Sequence, residues 1–357
     1  MTISVYVPFL VTMLLAVLAP RPARRPAPRP AAWALACGAL VTALGWLGSL
    51  ALLAFAGLAQ IPEVAEEGRW SAEALSADDP VYITVGAVAA VALVASCSGL
   101  AVAAVRQLRH LRRARRECAR LPGDLELAVL DDESPQAFAL PGAPGRIVVS
   151  RGMLRCLDDA EREALLAHER AHLRGRHHRF QTVWRLSAAA CPLLRPVADT
   201  GRFVLERWAD EEAAERLGDR TVVARAVGRA ALASAARPAR AALAATGGAV
   251  PQRVRALLAP PPPHRALPLV AGATLLVVSC ASLVNAASDS EQMIESAQHA
   301  ACAAGSIGTG GTVTHRHGGC CQRHEEQGED KEHMDRGGVF TGTGRTVEHL
   351  PVAGQMG

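Results

Sequence analysis

Lysine is almost missing from this 357-residue chain: the total of Lys and Arg is 38, yet Lys331 is the sole lysine. Any motif that needs a lysine elsewhere is thereby excluded. Aromatic residues are scarce as well, at 4%. No C-x-x-C pair occurs among the nine cysteines, an odd number, so neither a disulfide framework nor a zinc ribbon is legible. Cys37, Cys97 and Cys280 lie inside apolar runs, where a small hydrophobic role suffices. Charge of one sign is not in strong excess. The formal net charge of +4 is small for this length and calls for no acidic partner, so no direct nucleic-acid binding is expected.

What the chain has in quantity is aliphatic residues gathered into long, nearly uncharged runs. Half of all residues are hydrophobic, and the mean hydropathy is +0.15. Four segments (Ile3–Ala19, Ala31–Ala59, Val81–Val105 and Ala266–Ala287) approach or exceed the ~20 apolar residues that cross a hydrocarbon core. A secretory signal carries its positive charge before the apolar stretch. Here nothing basic precedes Ile3, while Arg21, Arg24, Arg25 and Arg29 follow the first run, which is therefore read as a retained helix.

Arginine placement sets the orientation. The first loop is basic and proline-rich, and so cytoplasmic. The loop between the second and third runs carries Glu63, Glu66, Glu67, Glu73, Asp78 and Asp79 against Arg69. Arg106, Arg109, Arg112, Arg113, Arg115 and Arg116 follow the third run, and Arg253, Arg255 and Arg265 precede the fourth. The expectation is a multi-pass protein of the cell membrane, an α-helical membrane protein with four transmembrane helices. Residues 1–105 form a membrane domain with three helices, 106–265 a cytoplasmic domain, 266–287 a fourth membrane helix, and 288–357 an extracytoplasmic, largely disordered tail. The arginines at 106–116 are read as a stop-transfer anchor; a grip on anionic lipid or nucleic acid is the alternative.

Within the cytoplasmic stretch, Leu125–Leu130 alternates enough for a strand. Ala137–Leu140 and Arg146–Ser150 flank a Pro-Gly-Ala-Pro-Gly loop and predict a hairpin. A helix should begin at Asp158, with Glu161 completing a capping box, and end at Arg174 before Gly175. Val183–Ala198, apolar but broken by Arg185, Pro192 and Arg195, is either a buried hairpin or, in preference, a segment dipping into the membrane interface. A helix over Phe203–Leu217 and alanine-rich helical sequence to Leu258 follow, with Pro260–Pro263 as a stiff spacer.

The chemistry sits in His168-Glu169-Arg170-Ala171-His172, on the capped helix. Residues four apart share a helix face, so the two imidazoles can bind one zinc ion, Zn2+. Glu169, one position round the turn, can act as general base toward the water that attacks a peptide carbonyl. A catalytic zinc site takes a third protein ligand and keeps one position open. Glu206, 34 residues after His172 (206 minus 172), is the candidate. Asp210, one turn further on the same face, could accept the free N–H of a ligand histidine. Glu211, Glu212 and Glu215 compete for both roles.

His168-Glu169-x-x-His172 followed by Glu206-x-x-x-Asp210 among membrane helices resembles the BlaR/MecR-type membrane metallopeptidases, whose wider relatives are the HtpX and CAAX prenyl-protease gluzincins. The resemblance runs from the third membrane helix to about Leu217, including Gln136-Ala137-Phe138-Ala139 and Ile147 to Leu154. It implies an α+β zincin-like metallopeptidase domain and a protein substrate bound as an added strand along Ala137, Phe138 and Ala139. It further implies regulatory cleavage of a cytoplasmic or membrane-proximal protein, for instance a DNA-binding transcriptional repressor. Two departures stand out. Relatives often place an acidic or amide residue shortly after the second zinc histidine; here Gly175, Arg176, His177 and His178 fill that stretch, read as solvated basic residues with an oxyanion-stabilising histidine as the alternative. A penicillin-binding sensor requires S-x-x-K, and Gly328 stands three residues before Lys331, so β-lactam sensing of that kind is excluded.

Two rivals remain open. One is a non-catalytic membrane signalling protein with a structural or vestigial zinc site. The other makes the tail, with His315, His317, Cys320, Cys321, His324 and His333, a metal sensor; a polar tail with incidental histidines is the plainer reading.

Overall fold

Long apolar runs free of helix breakers have every backbone group satisfied within one helix, and such helices frame the molecule. The computed structural model describes residues 3–18, 27–68, 70, 83–121, 126–234, 249–261 and 267–307. Two units are distinguished, Met1–Ala301 and Cys302–Gly357, and every element but the end of the last helix lies in the first. Helices α2 (Pro28–Leu58), α4 (Ile83–Arg120) and α11 (Leu267–Ile307) are long and apolar enough to cross a membrane, the last over Gly272–His299. The first expected span differs. A 3-10 turn at Ile3–Tyr6 precedes α1 (Val7–Leu18), whose 12 residues reach only about 18 Å against a hydrocarbon core of about 30 Å. Three long helices and one short apolar helix thus stand where four spans were expected. Ser282 on α11 donates its hydroxyl to the Ser4 carbonyl at 2.7 Å, tying the amino terminus to that helix. After α2 comes the short helix α3 (Pro62–Gly68).

Two boundaries moved outward. α4 runs without a break from its apolar half through the arginine cluster, because arginine is as good a helix former as leucine and snorkels readily. α11 continues 20 residues past Ala287, where a disordered tail was expected; alanine, the best helix former, is the commonest residue of that stretch and no proline interrupts it. The tail histidines and cysteines from His315 to His333 lie outside the described residues.

The sheet holds β1 (Leu127–Leu130), β2 (Ala137–Leu140) and β3 (Arg146–Ser150) in the order β1-β3-β2. β2 and β3 form the expected antiparallel hairpin, Ala137 opposite Val149, while β1 lies parallel to β3 with Leu127 opposite Ile147. β2 is therefore an edge strand. Ser150 caps α5 (Arg151–Arg155), its hydroxyl accepting the Met153 N–H at 3.1 Å. The capping box then opens α6 (Asp159–Arg174) as anticipated: Asp158 Oδ1 accepts the Glu161 N–H at 2.9 Å and Glu161 Oε2 accepts the Asp158 N–H at 3.1 Å.

The stretch from Val183 to Ala198 is helical on both sides of a turn, as a hairpin would be. It belongs to a helical hairpin, α7 (His177–Ala190), a 3-10 turn at Pro192–Leu194, and α8 (Arg195–Leu217), which starts eight residues before the expected Phe203. Most of its apolar residues are covered within the protein, while Leu193 at the 3-10 turn is 47% exposed. Phe180 and Trp184 of α7, with Leu194, Val197, Val204, Leu205 and Trp208, pack on Ala31, Ala32, Leu35, Ala36, Ala39 and Ala43 of α2. Those α2 positions recur every three or four residues, so one stripe of the membrane helix serves as wall for the hairpin. Helices α9 (Arg220–Ser234) and α10 (Ala249–Leu258) complete the domain, packing small residues on α6 and α8 through Ala164, Ala167, Ala213, Val223 and Leu257.

Close approach governs two contacts. A Cβ on Gly57 of α2 would lie 2.5 Å from the Gly86 Cα of α4, so the two membrane helices touch backbone to backbone, as small residues permit in lipid. A Cβ on Gly201 would meet Trp184 Cε2 at 2.6 Å. Gly201→Val is accordingly expected to destabilise the protein by about 1–3 kcal/mol through overpacking. Thermal unfolding of purified protein in detergent should show a clearly lower Tm than wild type, and an unchanged Tm would contradict the packing of α7 on α8.

Candidate metal centre

Four-residue spacing on α6 sets two imidazoles side by side: the ring centroids of His168 and His172 are 4.8 Å apart and their Nε2 atoms 3.1 Å apart. The small residues where α6 meets α8 let the helices approach, and α8 delivers Glu206 to the same point. Its Oε2 stands 3.6 Å from His168 Nε2 and its Oε1 3.6 Å from His172 Nε2. Atoms bound tetrahedrally to one zinc ion at about 2.0–2.2 Å sit about 3.3–3.6 Å from one another. The spacing here is close to that, and the nitrogen and carboxylate donors are of the type zinc takes, so the residues fit the ion. Among the described residues this is the group of three or more His, Cys, Asp or Glu donors within 4.8 Å that could hold a metal.

Each imidazole has a partner on its far nitrogen. His168 Nδ1 lies 3.0 Å from Asp210 Oδ1. His172 Nδ1 lies 2.7 Å from His177 Nδ1. Such partners fix the ring and leave Nε2 for the ion. The sequence reading of His177 as solvated is thus overturned: the side chain is buried, its ring stacked at a tilt on Trp208 with centroids 4.6 Å apart. Gly175 ends α6 and Arg176 turns the chain through a left-handed conformation (φ 50°), folding His177 back under His172. The spacing of five residues after His172 was the available signal, but on its own it does not separate a folded-back histidine from an exposed one.

Arg253 was also missed, having served only as a topological charge. It reaches in from α10, donates from Nε to Asp210 Oδ2 at 2.7 Å and from Nη2 to Oδ1 at 2.6 Å, and holds Glu206 Oε2 at 2.9 Å from Nη1. One planar guanidinium thereby joins the third donor to the carboxylate behind His168. Forty-seven residues separate it from Glu206 (253 minus 206), and no local pattern announces it. The competing acids lie elsewhere. Glu211 pairs with Arg220 at 3.0 Å, Glu212 pairs with Arg174 at 2.8 Å, and Glu215 is exposed.

Considering the side chains alone, burial disfavours charge on every member, and the neighbours decide which stay charged. Burial works against the His168 imidazolium, but Asp210 and Glu206 outweigh it and push the ring up to about 10. His172 is lowered to about 4 by burial and then by the positive His168 beside it. His177 is lowered to about 3 by burial and the neighbouring His172. Burial opposes the charged forms of Glu206 and Asp210 too, yet His168 and Arg253 hold both below the usual carboxylate range. Glu169 goes the other way: burial raises it, against the pull of His168 and a hydrogen bond from the Ala139 backbone N–H. A cavity of about 690 Å³ opens beside these groups, lined on one wall by Ala137, Phe138 and Ala139 of β2 and on another by the extension of α4 around His110 and Glu117.

Residues 105–198 match the model of Peptidase family M48, covering α6 with both histidines and Glu169 but not Glu206. The chain is also similar to the protease HtpX homologs of Dictyoglomus thermophilum (43% identical over 60 residues, 16% of this chain and 20% of that protein) and of Aquifex aeolicus (37% over 84 residues, 22% and 28%). A third, from Leuconostoc mesenteroides, is 35% identical over 68 residues, 18% of this chain and 23% of its own. The chain thus matches between 20% and 28% of the length of these curated relatives.

Two outcomes follow from the partners of the histidines. At pH 7.5 His168, pushed up to about 10, carries a proton that a metal ion must displace, whereas His172 does not. Zinc binding to stripped protein should therefore release close to one proton, and affinity should rise about tenfold per pH unit until the pH nears 10. Calorimetry in buffers of different ionisation enthalpy measures this; no proton release would refute the ion pairing of His168. Replacing His177 with Leu should weaken zinc binding by about 10- to 100-fold in a competitive chelator titration, since His172 then loses its orienting partner.

Proposed function

We propose that this chain, through the segment similar to Peptidase family M48, acts as a multi-pass membrane zinc metalloendopeptidase. Its substrate on this reading is a cytoplasmic or membrane-proximal protein. One observation carries the reading: three protein donors converge while the fourth side faces a cavity. Structural zinc sites are closed by four protein ligands, and catalytic ones keep a position open. That difference favours an enzyme over a signalling protein with structural zinc.

His168, His172 and Glu206 would hold the ion, which supplies Lewis acidity for the substrate carbonyl and acidifies the attacking water. Glu169 takes the proton of that water and passes it to the leaving amine. Burial raises its proton affinity, which suits a group that accepts a proton and returns it. Asp210 keeps His168 presenting Nε2, His177 does the same for His172, and Arg253 keeps Glu206 aligned while neutralising Asp210. These are positioning residues.

The substrate would lie along β2 as an added strand. β2 is an edge strand beside the cavity, so an extended peptide could take main-chain hydrogen bonds there while its scissile bond passes Glu169. The opposite wall supports a membrane-proximal substrate. It belongs to α4, and His110 lies five residues past Val105, about 7–8 Å along the helix from the end of its apolar half. The likeness of the motif to BlaR/MecR-type enzymes favours regulatory cleavage, for instance of a transcriptional repressor, with membrane-protein turnover as the nearest variant. The catalytic face is cytoplasmic on the arginine rule, with the C-terminal tail on the far side.

Glu169→Gln is the decisive variant. It should retain stoichiometric zinc and lower cleavage by about 10²- to 10⁴-fold, the share of a positioned general base. Comparative proteomics of cells carrying wild type or the variant would identify the substrate as a fragment seen with wild type alone. Equal fragment patterns in both would favour the non-catalytic reading.

A further inference from the structure

A second concave site lies away from the metal centre, where the first turns of α2 meet the turn joining α6 to α7. Arg29 and Trp33 of α2, Arg174, Arg176 and Arg179, and Trp208 of α8 border a pocket of about 490 Å³. Glu212 is the only acidic residue lining it, and it is already engaged by Arg174 at 2.8 Å. Three arginines are left over. Arg29 rests on an aromatic face, its guanidinium carbon 5.7 Å from the centroid of the Trp208 ring. Arg176 and Arg179 have no ion pair among the described residues. Arg176 also adopts a left-handed conformation that L residues rarely take, and no side-chain hydrogen bond caps the helix it opens, α7. The positive groups thus converge on one hollow that also has the partial positive charge of a helix start.

Depth identifies the ligand. α2 passes into its membrane-crossing stretch directly after Arg29, and Trp33 remains 56% exposed at that level, where amphipathic rings sit among headgroups. Scattered arginines are enough to orient a membrane protein; their convergence around an aromatic floor is not needed for that. We infer that this pocket binds a phosphate group, delivered by the headgroup of an anionic lipid at the membrane surface. Guanidinium forks pair with phosphate oxygens in a planar, bidentate manner, and the surface of an anionic leaflet offers that group at the right height. The inference rests on α2 crossing the membrane and is independent of the peptidase reading.

The test uses full-length, zinc-loaded protein in a neutral detergent, given an equimolar mixture of phosphatidylglycerol and phosphatidylcholine and then washed. Native mass spectrometry counts the lipid retained. Wild type is expected to keep phosphatidylglycerol over phosphatidylcholine, and R29Q/R176Q/R179Q to retain it about 10- to 100-fold less. R109Q/R112Q/R116Q removes the same charge from exposed positions of α4 and should retain it as wild type does. Thermal unfolding in the same detergent shows that each variant is folded, and R29Q/R179Q replaces the triple variant if that one is not. Equal loss from both triple variants would reduce the effect to bulk attraction and overturn the site, as would undiminished retention by the pocket variants. A parallel titration with inorganic phosphate separates the sources. Binding of phosphate that needs the pocket arginines, without selective lipid retention, would overturn the lipid assignment.

Discussion

The candidate metal centre depends on one buried carboxylate. Asp210 is 2% exposed and lies between the His168 imidazole and the Arg253 guanidinium. Burying an ion costs several kcal/mol unless partners compensate, and breaking such a pair leaves the survivor uncompensated. Without Asp210, Arg253 would face Glu206 alone and His168 would lose the group that sets its tautomer. The helix that brings Arg253, α10, would lose its charged tether to α8. A local question of ligand orientation is thereby bound to the packing of three helices, α6, α8 and α10. Stability and metal-site geometry cannot be separated here, because the same charges serve both.

A second constraint runs from this cluster into the membrane region. The α7–α8 hairpin that carries His177, Glu206 and Asp210 packs its apolar side on the first half of α2. Trp208 takes part in both layers, touching His177 on one side and Phe180 on the other. The interior is close-packed, so a shift of α2 cannot be absorbed by loose side chains. The metal donors are in this sense mounted on a membrane helix rather than suspended from it by a linker. β2 and α4 provide the facing walls, and α4 is itself continuous with a membrane-crossing helix. The cleft thus has one wall, α4, continuous with a helix long and apolar enough to cross a membrane.

How much of this was legible follows the range of each interaction. The capping box at Asp158 and Glu161, the stop at Gly175 and the hairpin around Pro141–Gly145 rest on neighbours within a few residues, and the structure repeats them. His168, Glu169 and His172 share one helix turn, so their grouping was readable too. Glu206 and Asp210 were readable as a pair on a face, though choosing them over Glu211 and Glu212 required Arg220 and Arg174, which only the fold brings near. Arg253 was invisible because its role depends on a contact across 43 residues of chain with no periodic trace. His177 was misjudged because polarity suggested solvent while the left-handed turn at Arg176 buried it. The Val183–Ala198 segment was read as a buried hairpin or, in preference, as dipping into the membrane interface; apolar composition does not separate the two, and the cover it finds is α2, itself long and apolar enough to cross a membrane.

Charge balance gives the last link between burial and chemistry. Among the side chains alone, the positive His168 and Arg253 are matched by the negative Glu206 and Asp210, and His172 is neutral. Glu169 sits in this balanced, buried setting with its proton affinity raised by burial. Exchanging the His168 proton for a divalent ion leaves one net positive charge more beside Glu169. A bound cation is often the largest charge in a site and reverses the local preference. That charge would favour the ionised form of the Glu169 carboxyl group, against the burial that favours the protonated one.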